Sequence, residues 1–317
     1  LDTAGLAGQG ADQDWMSETN DVGVFSDELR NELKSGFGCE GEARFITGGK
    51  RSVARVFDAL KGQPANTPAD APGDMVQYIA AHDNLPLYDV IAQSIKKDPE
   101  IAENDREIHR RVRIGNLLVL LAQGTVFLHA GQEYGRTKQW LADGRPEQKF
   151  HVLVDEQGKP FRHPYFIHDS YDSSDAINRF DWRRATDEKR YPQCVKTREY
   201  TRALISLRRS SDAFRHATQE LVERNVRLLE CPEIAKEDLV IAWSCRGSDD
   251  TTFYCFVNAD SRSRRLSTSR SLAGAVVVAD GEQVDPNGLT SPKGFTLCSR
   301  AISIDPLTAV ILKLLSF

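Results

Sequence analysis

Two short apolar runs end abruptly in ionisable residues, and this pattern constrains the fold more than any other. Met75 to Ala81 is followed by His82 and Asp83, and Thr125 to Leu128 is followed by His129. Continuous apolar runs of this length are typical of strands buried on both faces of a parallel sheet. In barrels built from such strands, catalytic side chains lie where the strands end. We therefore predict two parallel strands with a functional site at their ends.

Helical periodicity fills the interval between these two runs. Apolar residues recur at helical spacing in residues 85–95 and 103–122. Strand, helix and strand at this spacing predict a βαβ unit with a right-handed crossover. Further helices are predicted at residues 26–34, 50–61 and 195–209.

A long segment without clear periodicity follows, at residues 134–182. A connection of this length is uncommon in a compact domain and is usually functional. The segment is rich in aromatic and polar residues, among them Trp140, Tyr165, Phe166, His168, Tyr171, Asp175, Asn178, Arg179 and Trp182.

The pattern changes near Phe214 to short runs of β type, separated by turn residues. They predict an antiparallel β-sandwich with a polar outer face, which we interpret as a structural brace. The fold class is therefore α/β, with one domain at residues 1–212 and an all-β domain at residues 213–317. The predicted strands are residues 226–229, 239–244, 251–257, 275–279, 302–304 and 309–315.

Composition excludes several partners. The 317 residues carry a net charge of −5 and no basic stripe, so we expect neither nucleic acid nor an anionic membrane surface as a partner. The longest apolar stretch, residues 114–130, is interrupted by Asn116 and Gln123, which argues against membrane insertion. The six cysteines form no CxxC pair, and buried free thiols and disulfides both stay open. Because the chain begins at Leu1, we expect a processed product or a fragment.

Asp83 is the best candidate for chemistry. A carboxylate at the end of a buried strand is costly unless it is hydrogen-bonded or functional. The alternative is an N-cap of the helix that follows, because aspartate is a favoured cap. For His82 taken alone, a core histidine bonded to a main-chain carbonyl is the plainer interpretation.

Two further pairs of polar residues are candidates for binding. His129 and Glu133 straddle a strand end and have no evident third ligand, so no metal site is predicted. Asp175 and Arg179 form either an exposed ion pair worth about 0.5 kcal/mol or a fork of acceptors and donors for a neutral polyol. Nearby aromatics make the second alternative credible, because sugar rings present apolar faces to aromatic rings.

Several segments resemble the type I pullulanases, debranching enzymes of the α-amylase family of glycoside hydrolases. The most telling are Tyr78-Ile79-Ala80-Ala81-His82-Asp83-Asn84 and His168-Asp169-Ser170-Tyr171-Asp172-Ser173-Ser174-Asp175. The likeness runs almost from end to end and is most specific to forms from the surface of Gram-positive bacteria. It therefore implies an extracellular or cell-surface location. The other similar segments are residues 10–16, 24–27, 45–50, 127–133, 136–138, 178–182 and 204–209.

The resemblance implies the last two strands of a (β/α)8 barrel followed by the β-domain. It implies hydrolysis of α-1,6-glucosidic bonds in pullulan, glycogen and branched dextrins with retention of configuration. Asp83 matches the carboxylate that stabilises the transition state, and His82 matches a histidine that binds the same sugar ring. The other residues implied in substrate binding are Asn84, Tyr171, Asp175, Asn178 and Arg179.

The chain departs from this family in one important respect. Retaining hydrolysis needs a nucleophile and an acid/base, two carboxylates ~5 Å apart, and no segment here resembles the regions that carry them. We therefore expect an N-terminal remainder of the same enzyme as a partner, and little activity from this chain alone. The alternatives are a non-catalytic fragment that binds α-glucan and a structural fragment with no function of its own. No cofactor is expected, with a structural calcium ion in the complete enzyme left open.

Overall fold

The computed structural model describes residues 22–65, 67 and 71–315, together with Gln13 and Met16. Most of the similar segment at residues 10–16 lies outside the described residues. The helices are α1 (Asp27–Leu33), α2 (Val53–Leu60), α3 (Leu87–Ile95), α4 (Ala102–Leu121), α5 (Asp175–Asn178), α6 (Trp182–Thr186), α7 (Pro192–Ser210) and α8 (Gln219–Asn225). The strands are β1 (Val24–Phe25), β2 (Arg51–Ser52), β3 (Met75–Gln77), β4 (Thr125–Val126), β5 (Phe150–Val154), β6 (Pro160–Ile167), β7 (Val226–Leu228), β8 (Glu237–Asp238), β9 (Val240–Arg246), β10 (Thr251–Asn258), β11 (Arg264–Ser267), β12 (Val276–Ala279), β13 (Phe295–Cys298), β14 (Ala301–Ile304) and β15 (Thr308–Leu315).

A small parallel sheet carries both apolar runs, with the strand order β1–β3–β4. Both predicted strands are present, as β3 and β4, and they pair in parallel. The predicted number of strands is one too low, because β1 also pairs with β3. Strand β1 has two residues and no apolar run, so periodicity had no means of detecting it. The strand expected at residues 125–128 is shorter than predicted, and Thr125 is exposed.

The five predicted helices are confirmed as α1, α2, α3, α4 and α7, with ends that differ by a few residues. Helix α4 is the most deeply embedded of them, with an almost unbroken buried stretch from Ile108 to Leu121. Helices α3 and α7 both pack against it and contribute Ile91 and Leu204 to the same core. The βαβ order is also confirmed, since β3 and β4 pair in parallel across this helical connection.

The long segment at residues 134–182 is not devoid of regular structure, contrary to its sequence pattern. It contains the antiparallel hairpin β5–β6 and the short helix α5. The missed signal is the turn between the two strands, where Asp155 accepts hydrogen bonds from the main chain and Gly158 adopts a positive φ of 78°. Proline at position 160 and an irregular register mask the alternation that normally marks a strand.

Two antiparallel sheets form the C-terminal part. One has the order β12–β15–β10–β9–β7, and the other has the order β11–β14–β13. Strands β11 and β13 were not predicted, because each is short and partly exposed. Facing side chains of the two sheets share one apolar cluster, which includes Val240, Tyr254, Phe256, Leu266, Ile302 and Val310.

The second face of the five-stranded sheet is apolar and buried, so the predicted polar outer face does not apply to this sheet. Trp243, Phe253 and Ile311 belong to the same continuous core as helix α4. The rings of Phe214 and Phe253 lie 4.8 Å apart between their centroids and join the end of the helical part to the sheet. The β-sheet part is therefore built against the helices through a shared core.

Arg208 of α7 connects this core to the parallel sheet. Its guanidinium donates to the main-chain carbonyls of Leu120 (2.8 Å), Ala122 (2.6 Å) and Gly124 (2.7 Å). These carbonyls lie where α4 ends and β4 begins. Gly124 is required there, because its φ is 99° and a Cβ would approach the carbonyl oxygen of Pro72 to 2.6 Å.

Asp89 of α3 is buried and ties a loop to the helical part. One of its carboxyl oxygens accepts the main-chain N–H of Lys138 at 2.7 Å. Burial raises the pKa of Asp89 to about 7, against the hydrogen bonds from Lys138 and Thr137 that lower it. The carboxyl therefore titrates near neutral pH in the folded protein and near its ordinary acidic value after unfolding.

We predict that Arg208→Met destabilises the protein by about 3 kcal/mol, because two buried carbonyls and one partly buried carbonyl lose their donors. Methionine retains an apolar stem, which limits the cavity that the substitution leaves. Arg209→Met is the matched control, since Arg209 is the next residue of the same helix and is exposed; it should change the free energy of unfolding by less than about 0.5 kcal/mol. Urea denaturation followed by circular dichroism measures both, and equal effects would show that the carbonyl contacts carry no special stability.

We predict that Asp89→Asn changes how stability depends on pH. Between its unfolded and folded pKa values the wild-type carboxyl binds more protons when folded, so wild-type stability falls as pH rises through this window. The asparagine variant lacks this loss, which amounts to about 1.4 kcal/mol per pH unit. Urea denaturation should show that the free energy of unfolding of the variant, relative to that of the wild type, is higher at pH 8 than at pH 5. A difference that is independent of pH contradicts the prediction.

Candidate functional site

Three elements meet where β3 ends: the segment that follows β3, helix α1 and the loop after β6. Tyr78, the residue after β3, donates to Asp27 of α1 at 2.5 Å and accepts a hydrogen bond from Arg30. The rings of Phe25 and Tyr78 also pack edge to face, with centroids 4.9 Å apart. Helix α1 and strand β1 therefore fix the direction in which the chain leaves β3 toward His82.

His82 and Asp83 follow β3 and face solvent, with side chains 67% and 45% exposed. The Nε2 atom of His82 lies 3.2 Å from Oδ1 of Asp83. The core-histidine interpretation is therefore wrong for His82. The N-cap interpretation is wrong for Asp83, because Pro86 occupies the N-cap of α3. Asp83 is left as an accessible carboxylate at the end of a strand.

Tyr171 extends the surface that His82 begins. The two rings lie edge to face with centroids 5.6 Å apart, and Tyr171 is 59% exposed. The Lys149 ammonium lies 5.5 Å from the centre of the Tyr171 ring. The structure thus brings together His82, Asp83 and Tyr171 from separate segments. Lys149 was missed by the sequence analysis, because no periodicity or motif distinguishes it.

Asn84 and Asp169 hold the two loops together. Oδ1 of Asp169 accepts the main-chain N–H of Asn84, and the N–H of Asp169 donates to the carbonyl of Asn84 at 3.2 Å. Both residues have positive φ, 59° and 45°, a conformation that asparagine and aspartate tolerate better than most residues. We call this pair of reciprocal contacts the Asn84–Asp169 clasp.

Two histidines support the clasp. Nδ1 of His168 lies 2.7 Å from Oδ2 of Asp169, and the His168 ring stacks on His151 with centroids 4.3 Å apart. Burial alone raises the pKa of Asp169, but the hydrogen bonds from Asn84 and His168 outweigh it, and the pKa lies below its ordinary value. The carboxylate therefore stays ionised, and both of its oxygens remain hydrogen-bond acceptors. Asp169 and His168 stand beside Tyr171 in the motif and went unassigned because the motif alone gives no contacts.

Asn84 and Asn178 place their side chains against protein. The Asn84 side chain donates to Glu40 at 3.4 Å and accepts from the N–H of Leu85 at 2.7 Å. The Asn178 side chain donates to the carbonyls of Ser170 and Ser173 and accepts from Lys138 at 3.0 Å. These contacts show both side chains engaged in holding loops.

Asp175 and Arg179 lie at the two ends of α5 and are exposed. Within the described part of the chain no ion pair is found for either side chain, so the exposed ion pair considered from the sequence is not formed. Their hydrogen bond is between main-chain atoms, from the N–H of Arg179 to the carbonyl of Asp175 at 2.8 Å. Both side chains are accessible to a ligand.

His129 follows β4 and is partly buried. Burial, followed by the charges of Arg136 and Lys138, lowers its pKa to about 4. The carboxylate of Glu133 accepts the N–H of Gly131 at 2.8 Å and serves as a local cap.

Across residues 22–65, 67 and 71–315, no group of three or more histidine, cysteine, aspartate or glutamate side chains is placed to hold a metal ion. All six cysteines have free thiols.

The arrangement combines one accessible carboxylate, an imidazole beside it and an exposed aromatic face. Such a set can accept hydrogen bonds from hydroxyl groups, donate hydrogen bonds to them and stack on the apolar face of a ring.

None of the described helices is long and apolar enough to cross a membrane.

Comparison with known proteins identifies close relatives. Residues 225–315 match the family described as SpuA C-terminal. Pullulanase A of Streptococcus pneumoniae serotype 4 is 50% identical over an alignment of 317 positions, gaps included. The alignment covers 96% of this chain and 25% of the relative. The chain therefore spans about a quarter of the length of this curated relative.

Solved structures agree with the sequence comparison. A product complex of the multi-modular, glycogen-degrading pneumococcal virulence factor SpuA has a TM-score of 0.92 and 48% identity, and the match covers 97% of this chain and 33% of that one. The Group B Streptococcus pullulanase SAP in complex with maltotetraose has a TM-score of 0.89 and 48% identity, over 96% of this chain and 40% of that one. The match of residues 225–315 to a C-terminal family fits a C-terminal part of such a protein. By sequence and by fold, the chain belongs to the pullulanase family.

Proposed function

We propose that this chain is part of an enzyme that hydrolyses α-1,6-glucosidic bonds in pullulan, glycogen and branched dextrins with retention of configuration. The observation that carries the proposal is the accessible carboxylate of Asp83 after β3, beside the His82 imidazole and the exposed Tyr171 ring. The parallel sheet is interpreted as the last strands of a (β/α)8 barrel, whose strand ends are the usual place for catalytic groups. The relatives support the substrate class, since one is described as glycogen-degrading and another is complexed with maltotetraose.

Asp83 acts on the charge that develops during bond cleavage. The glycosidic transition state resembles an oxocarbenium ion, and a fixed carboxylate close to the ring stabilises its positive charge. His82 lies 3.2 Å from Asp83 and donates to hydroxyl groups of the same ring. Tyr171 stacks on the apolar face of the sugar, and Asp175 with Arg179 binds the next glucose. Asn84 and Asn178 contribute by holding the loops that carry these groups.

The nucleophile and the acid/base belong to an N-terminal remainder of the same enzyme. The parallel sheet supports this assignment, because its aromatic side chains are incompletely covered: Phe25 is 43% exposed and packs against the half-buried Phe127. Apolar surface of this kind favours association with a further part of the protein. This chain alone is therefore inactive in our proposal.

Two further expectations belong to the proposal. A mechanism with two carboxylates requires no cofactor, and a structural calcium ion in the complete enzyme stays a hypothesis. A location outside the cell or at the bacterial surface is supported by the description of a relative as a pneumococcal virulence factor.

A non-catalytic role in binding α-glucan is the competing proposal, favoured by the exposed Tyr171 and Arg179. It predicts that this chain alone is retarded on a glucan affinity gel. It gives no reason for an accessible carboxylate at the strand end, which the catalytic proposal uses directly.

We predict that Asp83→Ala, in the chain combined with its N-terminal remainder, lowers kcat on pullulan by about 10²–10³-fold. Glucan binding should be largely retained, because the stabilised charge exists only in the transition state. Asp143→Ala is the matched control, since Asp143 is exposed and makes no described hydrogen bond. Reducing-sugar assays and affinity gels measure the two effects, and unchanged turnover in Asp83→Ala would refute the catalytic role.

We predict that Asp169→Ala lowers kcat about tenfold with little change in KM, because the clasp that orients the His82–Asp83 segment is lost. Asp169→Asn should recover much of the rate, since an amide oxygen still accepts the N–H of Asn84. Asp172→Ala tests for nonspecific loop effects, as Asp172 is exposed in the same loop. A rise in KM alone, or no recovery with asparagine, contradicts the positioning role.

A further inference from the structure

A cavity of about 380 Å³ lies beside Arg179, between the segment after β4 and helices α5 and α6. Its size is in the range of small-molecule sites. The charged side chains that line it are four cations and one carboxylate, so its formal charge is positive. These side chains are Arg136, Lys138, Arg179, Arg184 and Asp181.

Three of the four cationic side chains, those of Arg136, Lys138 and Arg179, have no ion pair with a described carboxylate. Arg136 donates to the carbonyls of Ala130 (3.2 Å) and Asn178 (2.5 Å), which are neutral acceptors. Arg184 lies over the ring of Tyr191 and forms a long ion pair with Asp181, at 4.0 Å. The carboxyls of Asp89 and Asp105 also interact with its charge. The cavity lining therefore keeps an excess of positive charge, and the carboxyls near Arg184 compensate only part of it.

The hydrogen-bond partners and the pKa of Lys138 are consistent with this excess of positive charge. Lys138 donates to Ser170 and, at 3.0 Å, to Oδ1 of Asn178, which are neutral groups. Burial and the neighbouring charge of Arg136 lower the pKa of Lys138 to about 8. The buried carboxyl of Asp89 lies behind Lys138 and opposes this effect, but it titrates near pH 7 and compensates only part of the charge.

One residue that lines the cavity also has a buried hydrogen-bond donor without a described partner. The indole Nε1 of Trp140, a lining residue, is buried and has no acceptor among the described atoms. A buried donor without a partner costs about 1–3 kcal/mol. The donors of the cationic side chains are matched by a ligand that brings acceptor oxygens and negative charge.

We propose that this cavity binds a phosphate monoester carried by a glucose residue of the α-glucan. Guanidinium groups bind phosphate oxygens in a bidentate geometry that a neutral sugar hydroxyl cannot use. Arg179 lines the cavity and is also one of the residues proposed to bind glucose, which places the anion site next to the path of the glucan. The inference rests on the proposed function only for the glucan to which the phosphate is attached.

The first test measures binding without catalysis. Glucose 6-phosphate, inorganic phosphate and glucose are titrated separately by calorimetry into the chain combined with its N-terminal remainder. Glucose 6-phosphate should bind more tightly than inorganic phosphate, and glucose should not compete for the site. Arg184→Gln should weaken binding of glucose 6-phosphate by about tenfold. Arg202→Gln is the matched control, because Arg202 is exposed, pairs with Glu199 and does not line the cavity.

The outcomes separate the sources of the anion. Equal affinities for inorganic phosphate and glucose 6-phosphate would overturn the assignment to a glucan ester, and equal losses in Arg184→Gln and Arg202→Gln would overturn the site itself. The second test compares the hydrolysis of phosphorylated branched dextrin before and after phosphatase treatment. Arg184→Gln should abolish the preference for the phosphorylated form while leaving turnover of pullulan unchanged. Absent turnover of pullulan in the wild type would count against the proposed function, and the binding result would still decide the anion site.

Discussion

Arg208 satisfies three main-chain carbonyls at the point where α4 ends and β4 begins, and the position of the strand ends depends on this contact. The last carbonyls of a helix have no partners within it, and buried carbonyls without donors are costly. Because Arg208 belongs to α7, the contact also fixes α7 against α4. The segment that follows β4, with His129, Arg136 and Lys138, therefore starts from a fixed point rather than from a frayed helix end.

The five-stranded sheet gives the helices a second point of support. Both of its faces are apolar, so it belongs to two cores at once. One face packs on the antiparallel sheet β11–β14–β13, and the other carries Trp243 and Phe253 into the core of α4. A sheet buried in this way cannot move relative to the helices without exposing large aromatic side chains. The predicted role as a brace agrees with this packing. The sequence analysis, however, placed polar groups on the face of the sheet that packs against the helices.

Features with a strong local signal were predictable. The periodicity of residues 103–122 identified α4, and the apolar run ending at His82 identified β3. Features without such a signal were not: β1 has two residues, and β11 and β13 are short and partly exposed. The residues of the candidate site divide in the same way. His82, Asp83 and Tyr171 stand in recognisable segments, whereas the contacts of Lys149 and the pairing of Asn84 with Asp169 arise from loops that meet only in the fold.

The polar side chains of the candidate site divide into those that hold loops and those that stay accessible. Asn84 and Asn178 use their side chains on main-chain atoms and neighbouring residues, while His82, Asp83 and Arg179 keep theirs accessible. Side chains that are already hydrogen-bonded hold the accessible ones in place without waiting for a ligand, which lowers the entropic cost of binding. An accessible carboxylate on such a supported segment loses little freedom when a charged transition state forms beside it, and this is the physical basis for expecting Asp83 to affect kcat more than binding.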